Sequence, residues 1–279
     1  MKKFDFKNTG IEKELLYMLI LESLSRTNLF KDIVFQGGNT LRLCYMGKRY
    51  SEDLDFVMGR KNFLTKEEVE QVRKYLEKDL KRKIENQIEV VAKEGRIIRK
   101  IVVKILPDSD NLKKLEVHVK IANVPARSRE FKMAQSKSDP NLQVFVLSEK
   151  LEEILADKIV AFGGRAIRDN SPFKAKDIWD INWLIEQGIQ PDKNLVLEKL
   201  KDYSMDFDKY LSTFKKRLDT LNTKKGVDSF NSEMRRYAEE EVLHLLDNKL
   251  FTESILNRVS NSLNEFLYKI LRRELDRNL

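Results

Sequence analysis

The chain has 279 residues, with 53 Lys plus Arg against 45 Asp plus Glu and a formal charge of +8. That length allows one large domain or two modest ones with a real core, and 41% hydrophobic residues exclude wholesale disorder. A single cysteine, Cys44, excludes an internal disulfide and multi-cysteine clusters, and two histidines, His118 and His244, leave little room for histidine-based metal sites.

The segment Met1–Lys7 has no signal-peptide core behind it, and the apolar run Leu15–Leu24, broken by Glu22, is too short to span a bilayer. The chain therefore reads as cytoplasmic, with no membrane partner. Ile11 to Arg26 predicts a largely buried amphipathic helix, and Asp32–Gln36 a short buried strand closed by Gly37-Gly38. Asn39 or Thr40 caps the next predicted helix, Leu41–Met46. Asp53–Val57 alternates polar and apolar residues, as a half-buried strand does. Thr65 to Ile84 predicts an amphipathic helix, with Thr65 and Glu68 as a capping box. Strand-like runs follow at 88–92, 97–105, 114–121 and 143–146, with a basic, polar surface loop between Pro125 and Pro140. Ser148 caps a helix running to about Phe162, Lys174–Gln187 predicts another with Gly188 as its C-cap, and 191–279 is helical throughout. The predicted organisation is α+β: a mixed-sheet core over 1–147 and an all-helical domain over 148–279.

The chemistry concentrates between Gln36 and Phe56. Gly37-Gly38 ends a strand and opens a helix, where bare backbone and free N–H groups let a phosphate approach closely. Asp53 and Asp55, two apart on a strand, project from one face. Two hard oxygen ligands suit Mg²⁺, which completes its shell with water and substrate phosphates. A phosphate cradle beside such a pair is what phosphoryl or nucleotidyl transfer requires. Taken separately, a Gly-Gly turn and an Asp-x-Asp strand are ordinary structural features.

Gly37-Gly-Asn-Thr-Leu-Arg-Leu43 with Arg49-Tyr-Ser-Glu-Asp-Leu-Asp-Phe56 resembles the AbiEii/AbiGii nucleotidyltransferase toxin family, within the DNA polymerase β-like superfamily. Glu153-Ile-Leu-Ala-Asp-Lys158 and Lys176-Asp177-Ile-Trp-Asp180 resemble the family's lysine-bearing helix and its Arg/Lys-Asp-x-x-Asp helix, so the likeness covers roughly 13 to 188. The resemblance implies a polymerase β-like N-terminal fold in which Gly37 and Gly38 hold nucleotide phosphates and Asp53 and Asp55 bind Mg²⁺. It further implies that Lys158 contacts the triphosphate and that Asp177, or Asp180, supports the site. Where the family commonly has Thr or Ser after the glycines this chain has Asn39, so the phosphate contact falls to Asn39, Thr40 or backbone N–H groups. Superfamily sites often add a third carboxylate from a neighbouring strand. Glu116 is the candidate here, sharing a face with His118 and Lys120 by alternation; an ordinary charged strand face is the alternative. On its own helix Lys158 lies near the apolar stripe of Ile154, Leu155, Ile159 and Phe162, so it needs an anionic partner or lays its stem over the core. Arg165 and Arg168 are candidates for acceptor phosphates, with a solvated loop as the alternative.

The family likeness implies a Mg²⁺-dependent nucleotidyltransferase toxin that moves NMP from an NTP to an RNA acceptor, a tRNA 3′ end among the options, and halts growth as abortive infection does. It also implies an antitoxin encoded nearby that need not bind this chain. The alternatives are a degenerate fold that binds nucleotide or nucleic acid without catalysis, and NMP transfer to a protein or small molecule.

Overall fold

Residues that alternate apolar and polar give a sheet one strongly apolar side, and that side carries the main core of the first of the chain's two units, Met1–Glu149. The computed structural model describes residues 1–7, 9–59, 63–95, 97–109, 112–165 and 172–277. In this unit the helices are α1 (Thr9–Ser25), α2 (Gly38–Tyr45) and α3 (Lys66–Lys83). The strands are β1 (Ile33–Gln36), β2 (Asp53–Met58), β3 (Ile88–Lys93), β4 (Ile98–Ile105), β5 (Leu115–Pro125), β6 (Glu130–Gln135) and β7 (Gln143–Ser148). They form one seven-stranded sheet in the order β3-β4-β5-β2-β1-β7-β6. The sheet is mixed, with β2–β5 and β1–β7 parallel and the other pairs antiparallel.

The main core lies on one face, and part of the other, at Val34, Val57 and Val102, is buried as well. Leu54 and Phe56 of β2, Phe35 of β1, Val117 and Val119 of β5 and Ile101 and Val103 of β4 pack with Leu16, Ile20 and Leu24 of α1 and Leu76 and Leu80 of α3. α1 is apolar over most of its circumference, and accordingly Leu16 through Leu21 are all buried. α3 begins with the capping box: Glu68 N donates to Thr65 Oγ1 at 3.2 Å and Thr65 N donates to Glu68 Oε2 at 3.0 Å. Glu14 and Arg42, both almost fully buried, form an ion pair between α1 and α2, and the Glu14 carboxylate also accepts from Ser136 Oγ at 2.9 Å.

The second unit, Lys150–Leu279, is helical among its described residues. Its elements are α4 (Leu151–Gly164), α5 (Ala175–Glu186), α6 (Lys193–Asp202), α7 (Phe207–Leu221), α8 (Lys224–Met234), α9 (Glu240–Leu246) and α10 (Lys249–Arg277). Phe162, Phe214 and Phe266 form its aromatic core, with Phe162 and Phe214 edge-to-face at 5.1 Å. Among the described residues no helix is long and apolar enough to cross a membrane.

Three local expectations change. The stretch read as a loop between Pro125 and Pro140 contains β6, an edge strand paired with β7. Ser148 ends β7, and the N-cap of α4 is Lys150, which offers no side-chain cap. α2 starts at Gly38 with Gly37 as N-cap, so neither Asn39 nor Thr40 occupies the capping position.

Candidate active site

β1 runs into α2 through a single residue, Gly37, with φ 81° and ψ −159°. That region is essentially closed to residues with a Cβ. The space is closed too, because a Cβ on Gly37 would lie 3.2 Å from Asp55 Oδ2. Gln36 stands opposite Asp55 across the β1–β2 ladder, so the register brings the carboxylate against the turn. Gly37→Ala is therefore expected to lower stability by about 1–3 kcal/mol and to push the Asp55 carboxylate aside. Urea unfolding together with a Mg²⁺ titration of the variant checks both effects.

No side chain caps α2. The N–H groups of its first turn have no intrahelical acceptor and point out of the helix end, as an anion site requires. The adjoining loop adds two groups that sequence reading did not single out. A Cβ on Gly38 would collide with the Arg49 guanidinium and come within 2.8 Å of Ser51 Oγ. Arg49 is buried and donates to Tyr50 O at 2.9 Å, while Tyr17 donates to Ser51 O at 2.7 Å. Gly38 is thus a close-approach glycine, and a cationic and a hydroxyl side chain stand beside the helix start. Both residues lie within the quoted stretch, but only the fold shows that they reach Gly38.

Asp53 and Asp55 lie on the same face of β2, both partly exposed, while Leu54 and Phe56 anchor the strand in the core. Asn39, fully buried, donates its side-chain amide to Asp53 O at 2.8 Å and so ties α2 to β2. The Thr40 hydroxyl is buried with no hydrogen-bond partner among the described residues. On the parallel neighbour β5, His118 stands beside Asp53 and Lys120 beside Asp55. Lys120 Nζ pairs with Asp53 Oδ2, and His118 Nδ1 lies 3.3 Å from Asp53 Oδ1. Glu116 is one alternation further along β5, with Oε1 2.7 Å from His118 Nε2 and Oε2 3.2 Å from Lys114 Nζ. The His118 hydrogen bond, then Lys114, hold the Glu116 carboxyl below the usual range. The groups immediately flanking the acid pair on β5 are therefore an imidazole and an ammonium, with Glu116 behind the imidazole. Two oxygen donors on one face, with a cation already drawn to one of them, form a donor set that fits Mg²⁺.

Burial pushes the Cys44 thiol up to about 12, which removes it as a nucleophile near neutral pH.

In the second unit, Lys158 of α4 is nearly buried and has protein partners. Its ammonium lies 2.7 Å from Asp180 Oδ2 and 3.6 Å from Asp177 Oδ1 of α5, and Asp177 Oδ2 also receives Arg165 Nη1 at 3.0 Å. Both aspartates are buried, and Asp180 is the closer partner of the lysine. Arg168 lies outside the described residues.

A glycine turn into an uncapped helix, an acid pair on the adjoining strand of a mixed sheet and a helical unit after it together define a nucleotidyltransferase-type fold. The model of the family described as "Nucleotidyl transferase AbiEii toxin, Type IV TA system" matches residues 19–254. The chain belongs to that family of nucleotidyltransferase toxins. Among solved structures it is similar to JHP933 from Helicobacter pylori, at 19% identity and TM-score 0.52 over 98% of this chain and 97% of that one, a likeness that speaks for the fold alone. No curated protein matches the chain.

Proposed function

We propose that the protein is a Mg²⁺-dependent nucleotidyltransferase that moves NMP from an NTP to an RNA acceptor and so arrests growth. The observation that carries this reading is the contact between the Asp55 carboxylate and the Gly37 turn on a strand that also presents Asp53. Asp53 and Asp55 would hold Mg²⁺, which when bound neutralises charge on the phosphates. The N–H groups of the first turn of α2, with Arg49 beside Gly38, bind the phosphate tail. The acceptor hydroxyl forms a new bond to the α-phosphorus, the bond to the β-phosphate oxygen breaks, and pyrophosphate leaves. The hydroxyl proton passes to the Glu116 carboxylate, which its hydrogen bond with His118 keeps ionised and so able to accept it. In the helical unit, Lys158, held by Asp180 with Asp177 beside it, is the lysine we carry over as a phosphate contact.

Incubation with each labelled NTP, Mg²⁺ and total RNA tests the reading. Label is expected in RNA, and sequencing the labelled ends identifies the acceptor, a tRNA 3′ terminus being the first candidate. If no NTP gives labelled RNA, the proposal is wrong. Label in protein instead would move the acceptor class.

Type IV membership brings an antitoxin as genetic partner, which need not touch this chain.

A further inference from the structure

The β6–β7 hairpin carries its side chains in an unusual distribution. Phe131 is 77% exposed, Phe145 70% and Met133 40%, whereas Ala134, Val144 and Val146, on the opposite side of the same hairpin, are buried. The ladder pairs Phe131 with Leu147 and Met133 with Phe145, so these four share one face. Ser148 pairs with Phe35, and Phe35 pairs with Phe56 on the core side. By alternation, Phe131, Met133, Phe145 and Leu147 therefore occupy the sheet face that also presents Asp53 and Asp55. Across that face the acid pair on β2 has two different flanks. On β5 and β4 stand Lys120, Lys100 and Lys104, in register with one another or with Glu116. Beyond β1, on β7 and β6, stand the exposed rings, and the exposed Arg127 and Arg129 lead into β6.

Exposed phenylalanines on adjacent strands, beside arginines and on one face with lysines, have the composition of a stacking platform for single-stranded nucleic acid. The core of a protein interface excludes such charge. We propose that this face seats the unpaired end of the RNA acceptor, with bases stacked on Phe131 and Phe145 and phosphates met by the lysines and arginines. This rests on the nucleotidyltransferase reading of Asp53 and Asp55. At about 4.8 Å per strand, β7 and β6 lie about 10 and 14 Å across the sheet from β2, so the bases held there belong to nucleotides just upstream of the reacting terminus. Stacking does not read sequence, so the platform selects single-strandedness.

The test uses the full chain with Phe131→Ala, Phe145→Ala and the double substitution, and Phe131→Tyr as the conservative control. Binding of a short fluorescein-labelled single-stranded RNA of mixed sequence is read by anisotropy, and KM for RNA and for NTP by label transfer. Each alanine is expected to weaken RNA binding and raise the RNA KM about ten-fold, with the NTP KM and melting temperature unchanged and tyrosine restoring binding. Unchanged RNA binding in the double variant overturns the platform. So does a wild-type dimer that the double variant dissociates with RNA binding intact, because the patch would then join two copies along the open β6 edge. If the wild type transfers nothing but its RNA binding still depends on the rings, the platform stands and only the catalytic reading falls.

Discussion

Asp55→Asn is expected to reduce label transfer by about 10²–10³-fold, the scale of losing one preorganised charge-stabilising group, and to abolish growth arrest on expression. The substitution keeps the side-chain shape, so the space beside Gly37 stays filled. Asp55 is only partly buried while its neighbours Leu54 and Phe56 carry the packing, so the melting temperature should barely move. That separation of activity from stability distinguishes a site residue from a structural one. Mg²⁺ titration of the nucleotide-free protein gives a second readout, in which the variant should lose the binding seen in wild type. Asp53→Asn should behave less cleanly. It leaves Lys120 and His118 facing a neutral amide, so a loss of stability in urea unfolding should accompany the lost transfer. Transfer retained in Asp55→Asn would sink the metal role for this face of β2.

How much of this was legible in the sequence depended on whether a feature is local. α1 was readable because nearly its whole circumference is apolar, β2 because Leu54 and Phe56 alternate with the acids, and the start of α3 because the Thr65–Glu68 cap is a four-residue pattern. β6 was not readable because its alternation is inverted. The residues that look like a buried stripe, Phe131 and Met133, face solvent, and small Ala134 faces the core. Within a basic stretch that pattern imitates a loop. Within the candidate site, alternation alone put Glu116, His118 and Lys120 on one face. Which of them stands against Asp53 is set by the parallel register of β2 and β5, a long-range property that no local pattern carries. The same holds for Arg49 and Ser51, whose approach to Gly38 depends on how the loop folds back.

Lys158 illustrates the boundary from the other side. Its own helix told that it points near the core and needs an anion. The anion that the fold supplies is a pair of aspartates one turn apart on α5. Helical spacing in Lys176-Asp177-Ile-Trp-Asp180 put both carboxylates on one side of that helix, but the pairing of α4 with α5 had to come from the structure.

The largest stability effect is expected at Lys199, whose partner Asp157 adjoins Lys158 on α4. Lys199 of α6 is fully buried, with Nζ 2.5 Å from Glu153 Oε1 and 3.0 Å from Asp157 Oδ2. Glu153 and Asp157 are one turn apart on α4, so they present two carboxylates to a single ammonium. Lys199→Met fills much the same volume but removes the ammonium that pairs with both acids, in a cluster where Glu149, Glu153 and Asp157 lie close together. Breaking a buried pair this way costs about 3–5 kcal/mol, a large share of the ~5–15 kcal/mol that holds a typical domain together. The expected result is a lower urea midpoint for the transition that reports the helical unit, with the N-terminal sheet signal shifted less. A second substitution makes the cause testable. Adding Glu153→Gln to Lys199→Met removes one of these neighbouring carboxylates, so the double variant should recover part of the loss, and the coupling in the cycle should exceed 1 kcal/mol. If the two losses simply add, the lysine acts through packing of its stem and not through its charge.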